Sequence, residues 1–449
     1  MSINIRFMVY NAYGIGGTVK TIFNFADYFQ KTGKYNVEII SIKRTKETPT
    51  LHLNPKVKIT VIQDARRGAK FAEQDRALLG LQSELIDKEE DLYAMFNAYT
   101  DKRLKEVLGS LHDGVLVTTM PSFNVLATTM VDDRVLKIGQ EHKSYADHTE
   151  GIQELIKKHY GDLDALTILT ERNKHVYEKK IKGDLPLYVL GNGTERLNFK
   201  ANLKNHIIVA AGRYAYQKGY DLLIEAFAII ADQFPDWTVK IYGEGTLAKD
   251  YIRLIHKYGL ENRIVLEPGS DRMDEMLSEA SIHVCSSYYE PFGMVVIEGF
   301  AMGLPCVSFA CDGPREIITN GYDGLVVPKE NVEELANAMA KVMADEQLRQ
   351  ELGNNAYETA KKYDIRKIGN NFEKLVEKEL KLKEKRLKGK KAEEKNENKK
   401  VDEKQLPSQE SIPYETYNEM VLCASNGRVG LKTIWLMFKG WIAFKVFGS

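Results

Sequence analysis

The stretch from Ile282 to Ala310 leaves few folds open to this chain. Ile282–Ser286 is a short apolar run, as expected of a strand buried on both faces of a parallel sheet. Pro291 and Gly293 break it, and the apolar segment Met294–Met302 then reads as a helix. Gly303 and Pro305 stop that helix before a second apolar run, Cys306–Ala310. Strand, helix and strand in this order are the repeating unit of a doubly wound parallel sheet, which binds ligands in the turns after its strands. Glu290 falls in such a turn. Read blandly, it is a helix-start acid favoured by the dipole. Glu298 falls two turns into the helix, between Val295-Val-Ile and Phe300-Ala-Met, which leave it little solvated face. An unpaired carboxylate there is costly, so the sequence points to a function for both acids.

The chain has 449 residues, too many for one ordinary domain, and two domains plus an extension is the natural expectation. Its 63 basic and 63 acidic residues balance, so nothing points to nucleic acid as a partner. The four cysteines, Cys285, Cys306, Cys311 and Cys423, are unevenly spaced and form no Cys-x-x-Cys, which suits a reducing cytoplasm without disulfide or zinc. Met1-Ser-Ile-Asn-Ile-Arg reads directly into a strand and offers no signal peptide.

Taken in order, Ile3–Asn11 reads as a strand, Gly14-Ile-Gly16-Gly17 as a turn and Val19–Lys31 as a helix. A glycine-rich turn at a helix start lets backbone N–H groups approach an anion. Val37–Lys43 and Val57–Gln63 are the next strands. Residues 66–111 favour helix, and Leu78, Leu81, Leu85 and Leu92 recur at helical spacing, so amphipathic helices on the sheet edge are expected. Gly114–Met120 and Leu136–His142 are strands, the second ending in a polar cluster with Lys143, Tyr145, Asp147 and His148. Asp162-Leu-Asp164 has the form of a metal-binding pair but lies between a helix and the strand Leu166–Thr170. Gly191-Asn-Gly-Thr194 opens a hinge. Ile207–Gly212 is a strand, followed by the polar turn Arg213-Tyr-Ala-Tyr-Gln-Lys218-Gly219. Two cations at a strand end can neutralise a diphosphate, Arg by a fork and Lys as a point charge.

The stretch Glu290-Pro-Phe-Gly-Met-Val-Val-Ile-Glu298, followed by Gly303-Leu-Pro, resembles the donor-sugar motif of retaining GT-B glycosyltransferases of family 4. The likeness continues through Cys311-Asp-Gly-Pro-Arg-Glu316 and Asp323-Gly-Leu-Val-Val-Pro328 and covers most of residues 200–330. It implies two Rossmann-like doubly wound parallel-sheet domains facing a cleft, plus a C-terminal extension. The divisions expected are 1–194 (acceptor side), 195–365 (nucleotide-sugar side), 366–379 (a helix crossing back), 380–412 (charged linker) and 413–449 (tail). It also implies metal-independent transfer of a hexose from a nucleotide sugar, expected to be a UDP-sugar, with no cofactor and with the anomeric configuration retained. The acceptor implied is a cell-surface polysaccharide, a teichoic acid or a lipid-linked glycan. By the same resemblance Arg213 and Lys218 meet the diphosphate, Glu290 and His142 the sugar and Glu298 the ribose. Gly16 and Gly17 lie near the donor phosphate, and Phe292, Gly293 and Met294 complete the donor site. Epimerases and phosphorylases share this fold. The alternative outside enzymes is a catalytically silent, nucleotide-sugar-binding partner of a membrane transferase.

From Leu380 the sequence becomes a lysine- and glutamate-rich run to about Lys404, read as frayed helix and disordered linker. In the tail, Lys432 and Lys439 share a stripe while Ile434, Met437, Phe438, Trp441 and Phe444 lie broadly opposite, at about 100° per residue. Lysines within so short a segment argue against a span and for a helix lying in an anionic membrane interface, with tryptophan at headgroup level. The protein is therefore expected to be cytoplasmic and peripheral on the inner face of the cell membrane. The full chain should float with anionic liposomes and a chain lacking residues 405–449 should not. Equal flotation of both would exclude the tail as the anchor.

Overall fold

The computed structural model describes residues 2–195, 199–269 and 273–402, with side chains for these except Met273 and residues 390–402. The chain forms two compact units, Met1–Glu379 and Leu380–Ser449. Within the first unit lie two parallel sheets, one of seven strands in the order β3-β2-β1-β4-β5-β6-β7 and one of six in the order β10-β9-β8-β11-β12-β13.

The first sheet contains β1 (Ile3–Val9), β2 (Tyr35–Arg44), β3 (Lys58–Asp64), β4 (Val115–Thr118), β5 (Leu136–Gln140), β6 (Ala165–Ile168) and β7 (Leu187–Val189). Its helices are α1 (Gly17–Thr32), α2 (Glu73–Arg76), α3 (Ala98–Gly109), α4 (Pro121–Met130), α5 (Glu150–His159) and α6 (Glu171–Lys180). The second sheet contains β8 (Ile207–Ala211), β9 (Thr238–Tyr242), β10 (Ile264–Glu267), β11 (Ile282–Cys285), β12 (Cys306–Phe309) and β13 (Gly324–Val327). With it go α7 (Tyr220–Ile230), α8 (Ala248–Lys257), α9 (Met273–Ser278), α10 (Met294–Ala301), α11 (Asp312–Ile317), α12 (Val332–Ala344) and α13 (Glu346–Thr359). Central strands such as β4, β6, β11 and β12 are buried at every position, because helices cover both faces.

In each sheet the chain winds outward from a first strand and then returns to that strand's other side. The reversal lies between β1 and β4 in the first sheet and between β8 and β11 in the second. At such a point adjacent turns lead away in opposite directions and leave a crevice at the strands' carboxyl ends.

A last helix, α14 (Ile365–Asp402), returns to the first sheet. Phe372 is fully buried there, with its ring 4.9 Å from Phe25, 5.5 Å from Phe29 and 6.4 Å from Phe7. Lys34 Nζ meets Glu373 at 2.9 Å, and the Tyr188 hydroxyl donates to Glu379 at 2.5 Å. The chain crosses between the two halves twice, and the crossings pair: Thr194 N–H bonds Tyr363 O at 2.9 Å and Ile365 N–H bonds Thr194 O at 3.0 Å.

Residues 66–111 depart from the helical expectation. Only Ala98–Gly109 forms a helix of length, and it does pack on the edge strand β3. Upstream lie the single turn α2 and the 3-10 turns Ala77–Gly80 and Tyr93–Met95. The buried Asp101 carboxylate accepts from the Ser83 hydroxyl at 2.6 Å and from the N–H groups of Glu84 and Leu85 at 2.7 and 3.3 Å. A side chain has taken the donors a helix would have used, and short polar groups compete with helix in this way. Leu85 and Leu92 pack on the core, whereas Leu81 is 57% exposed.

Beyond Glu379 the backbone is helical through Asp402, so the first part of the charge run is helix. Lysine and glutamate are good helix formers, and Glu384 pairs with Lys388 one turn on at 2.7 Å. The amphipathic tail, 413–449, lies outside the described residues. Among the described residues no helix is long and apolar enough to cross a membrane.

Candidate active site

The turns at the second sheet's reversal point bring two of the expected residues into contact. After β8 the chain runs through Arg213 to Lys218 and turns at Gly219, which begins α7. Gly219 has φ 58°, and a Cβ there would lie 2.2 Å from the Ser286 carbonyl oxygen, so only glycine lets this turn close on the strand beside it. The turn after β11 is stitched to it. Tyr288 N–H bonds Gln217 O at 2.9 Å, Gln217 Nε2 bonds Tyr289 O at 3.2 Å, and the Ser286 hydroxyl bonds Lys218 O at 3.1 Å. The rings of Tyr216 and Tyr288 stack at 4.3 Å and 9°.

This stitching sets Lys218 Nζ 2.6 Å from Glu290 Oε2, with side chains only 15% and 10% exposed. Burial disfavours the Lys218 charge, but the Glu290 carboxylate outweighs it and the ammonium holds its proton above the usual lysine value. Arg213 lies near enough for its charge to oppose that of Lys218. It is exposed, and no acid pairs with it among the described residues. The Glu290 carbonyl accepts the Gly313 N–H at 2.9 Å, fixing the turn from its far side. Phe292 is buried, its ring 5.9 Å from Tyr363. Gly293, at φ 105°, turns the chain into α10, which starts at Met294.

The first domain reaches the same place through the start of α1. A Cβ on Gly17 would lie 3.8 Å from Met294 Cγ, and the Thr21 hydroxyl is 3.8 Å from Met294 Sδ. Gly16 caps α1, and its carbonyl accepts the Lys20 N–H at 3.0 Å. The Lys20 ammonium meets Glu298 Oε1 at 2.7 Å. Gly16, Gly17, Met294 and Glu298 therefore share one side of the cleft.

His142 follows β5, half-buried, with Nε2 3.1 Å from Gln140 Oε1. Burial pushes its imidazole down to about 4, against a smaller opposing pull from Glu141. Glu141 itself is buried and accepts from Asn124 Nδ2 and His148 Nε2, each at 3.2 Å, and from the Tyr160 hydroxyl. Burial pushes its pKa up, but these bonds prevail and hold it below the usual carboxylate value.

A second set of contacts joins the domains beside the Glu290 turn, where Gly313 N–H bonds the Glu290 carbonyl. Asp312 accepts the Ser144 hydroxyl at 2.9 Å and meets Arg172 Nε at 3.3 Å. Glu316 accepts the N–H groups of Glu171 and Arg172 at 3.0 and 2.9 Å, capping α6 from the opposite domain. The sequence reading gave no role to Lys20, Asp312 or Glu316. The two acids do lie inside a stretch it singled out, and Lys20 stands one turn beyond the glycine pair.

Asp164 bonds the Lys137 N–H at 2.8 Å and so belongs to the turn before β6. Among the described residues no cluster of His, Cys, Asp or Glu could hold a metal ion. Cys285, Cys306 and Cys311 are buried free thiols, and Cys423 lies outside the described residues.

Residues 191–359 match the family of glycosyl transferases group 1. The chain carries a glycosyl transferases group 1 domain on a GT-B fold. An exopolysaccharide phosphotransferase of Streptomyces coelicolor is 30% identical over 373 residues, covering 80% of this chain and 39% of the relative. This chain thus spans about two fifths of that protein. An uncharacterised glycosyltransferase of Haemophilus influenzae is 24% identical over 369 residues, 81% of this chain and 97% of its own length. Among solved structures, S. aureus TarM in complex with fondaparinux, α-GlcNAc-glycerol and UDP superposes with a TM-score of 0.68. Its identity is 14%, over 83% of this chain and 99% of TarM. The matched domain contains Arg213, Lys218, Glu290 and Glu298, whereas Gly16, Gly17, Lys20 and His142 come from the part of the GT-B fold outside it.

His283, on β11 behind the site, gives a pH test of this packing. It is 1% exposed, and burial, aided by the Lys218 charge, brings its imidazole down to about 4. The unfolded value is about 6.5, so the unfolded chain binds the extra proton first. This contribution is complete above pH 6.5 and is lost as pH falls toward 4. From pH 7 to pH 5 it amounts to about 2 kcal/mol for this residue. Urea titrations should show that His283→Asn loses less stability over that interval than the wild type by about this amount. Parallel losses would contradict it.

Proposed function

We propose that this chain is a retaining glycosyltransferase that moves a hexose from a nucleotide sugar, a UDP-sugar in the first instance, to a cell-surface polysaccharide, teichoic acid or lipid-linked glycan. The observation that carries this reading is the Lys218–Glu290 pair, 2.6 Å apart in the paired turns of the second sheet's reversal point, with Arg213 beside it. UDP and α-GlcNAc-glycerol in the TarM complex support the donor and acceptor classes.

In this reading Lys218 and Arg213 face the diphosphate and stabilise the charge that grows on it as the glycosidic bond breaks. Preorganised charge at a developing anion is generally the largest single contribution to such a rate. These cations take the part a divalent ion plays in other transferases, so turnover is proposed to need no metal or cofactor. Glu290 orients the sugar and stabilises its positive ring. His142, neutral because its imidazole sits at about 4, serves as a hydrogen-bonding group to the sugar rather than as a cation. Gly16 and Gly17 offer the start of α1 to the donor phosphate. Phe292, Gly293 and Met294 shape the donor site, and Glu298 takes the ribose hydroxyls. The acceptor enters from the first domain, and the tail holds the protein on the inner face of the membrane.

The test is nucleotide release from UDP-, GDP- and ADP-sugars, with and without a crude lipid-linked acceptor extract. One donor should release nucleotide, faster with the extract. Glu290→Ala and Lys218→Ala should each lower the rate on the order of 10²-fold or more. Flat traces for every donor would overturn the reading in favour of a silent nucleotide-sugar-binding partner.

A further inference from the structure

Lys20 points away from its own domain. It lies in the first turn of α1, whose buried residues are Thr21, Ile22, Phe23, Phe25, Ala26 and Phe29. Its ammonium ends 2.7 Å from Glu298 Oε1 on α10 of the second domain, with side chains 32% and 9% exposed. A carboxylate so enclosed is costly without a cation, and the cation here comes from across the cleft. No other described residue hydrogen-bonds the Glu298 carboxylate, and a carboxylate offers about four lone-pair positions. Lys20 thus takes one and leaves the rest for a ligand. The contact of Gly17 and Thr21 with Met294 brings α1 close enough for a lysine to reach.

We propose that Lys20 is a positioning residue for the nucleotide ribose. It holds the Glu298 carboxylate in place, so that the second domain grips the ribose hydroxyls at full strength only while the first domain is docked against it. This rests on the reading of Glu298 given above. An ordinary interdomain ion pair would steady the docking of the domains and affect every ligand of the cleft alike. A positioning role acts through the hydroxyls that Glu298 holds, and so depends on their being present.

That difference is measurable by calorimetry with UDP, GDP and ADP and the matching 2′,3′-dideoxynucleoside diphosphates, which lack both hydroxyls. Lys20→Met should weaken the ribonucleotide that binds the wild type by about tenfold, the worth of one charge-assisted hydrogen bond. It should leave the dideoxy analogue nearly unchanged. Lys20→Arg should recover most of the loss, and Lys20→Met combined with Glu298→Gln should bind no more weakly than Glu298→Gln alone. Equal weakening of ribo- and dideoxynucleotide, or no weakening of either, would overturn the proposal while the nucleotide site stood. A wild type that binds none of the three would instead remove the reading of the site on which it rests.

Discussion

A carboxylate taken out of water needs hydrogen-bond donors or a cation, and in this protein two carboxylates that meet cations shape the cleft. Glu290 meets its cation within the second domain. For Lys218 to arrive at 2.6 Å, the turns after β8 and β11 have to lie flat against each other, which Gly219 and the bonds among Gln217, Ser286 and Tyr288 secure. Glu298 meets its cation across the cleft, because α1 starts beside α10 and Lys20 projects from its first turn. The first pair builds a charged site inside one sheet. The second makes that site sensitive to the other sheet.

Connectivity explains why both pairs fall where they do. Parallel strands joined by right-handed crossovers gather every strand-to-helix turn at one edge. Reversal of winding between β8 and β11 parts two of those turns, and reversal between β1 and β4 does the same in the first domain. The paired crossings at Thr194 and Ile365, with Phe372 buried among Phe7, Phe25 and Phe29, hold the two sheets in one unit. Asp312 and Glu316 also tie α11 to Ser144 and to the start of α6.

Much of this was legible in sequence because it is local. The strand–helix–strand unit around Glu290 is written in apolar runs punctuated by Pro291, Gly293, Gly303 and Pro305, and it emerges as β11, α10 and β12. The turn with Arg213 and Lys218 followed from a polar run after an apolar one. What escaped was set by contacts far apart in the chain. Lys20 looks like any helix-surface lysine until α10 is placed opposite it. Residues 66–111 have the composition of helices, but whether their N–H groups bond the backbone or the Asp101 carboxylate depends on where α3 packs. Capping of α6 by Glu316 is equally invisible without the fold.

The central claim is that the turns holding Lys218, Glu290 and Arg213 form a diphosphate site. A crystal structure with a bound nucleoside diphosphate tests it most directly. The account predicts diphosphate oxygens within hydrogen-bonding reach of Arg213 and Lys218, with the ribose on Glu298. A nucleotide bound with its diphosphate away from those two cations would contradict it.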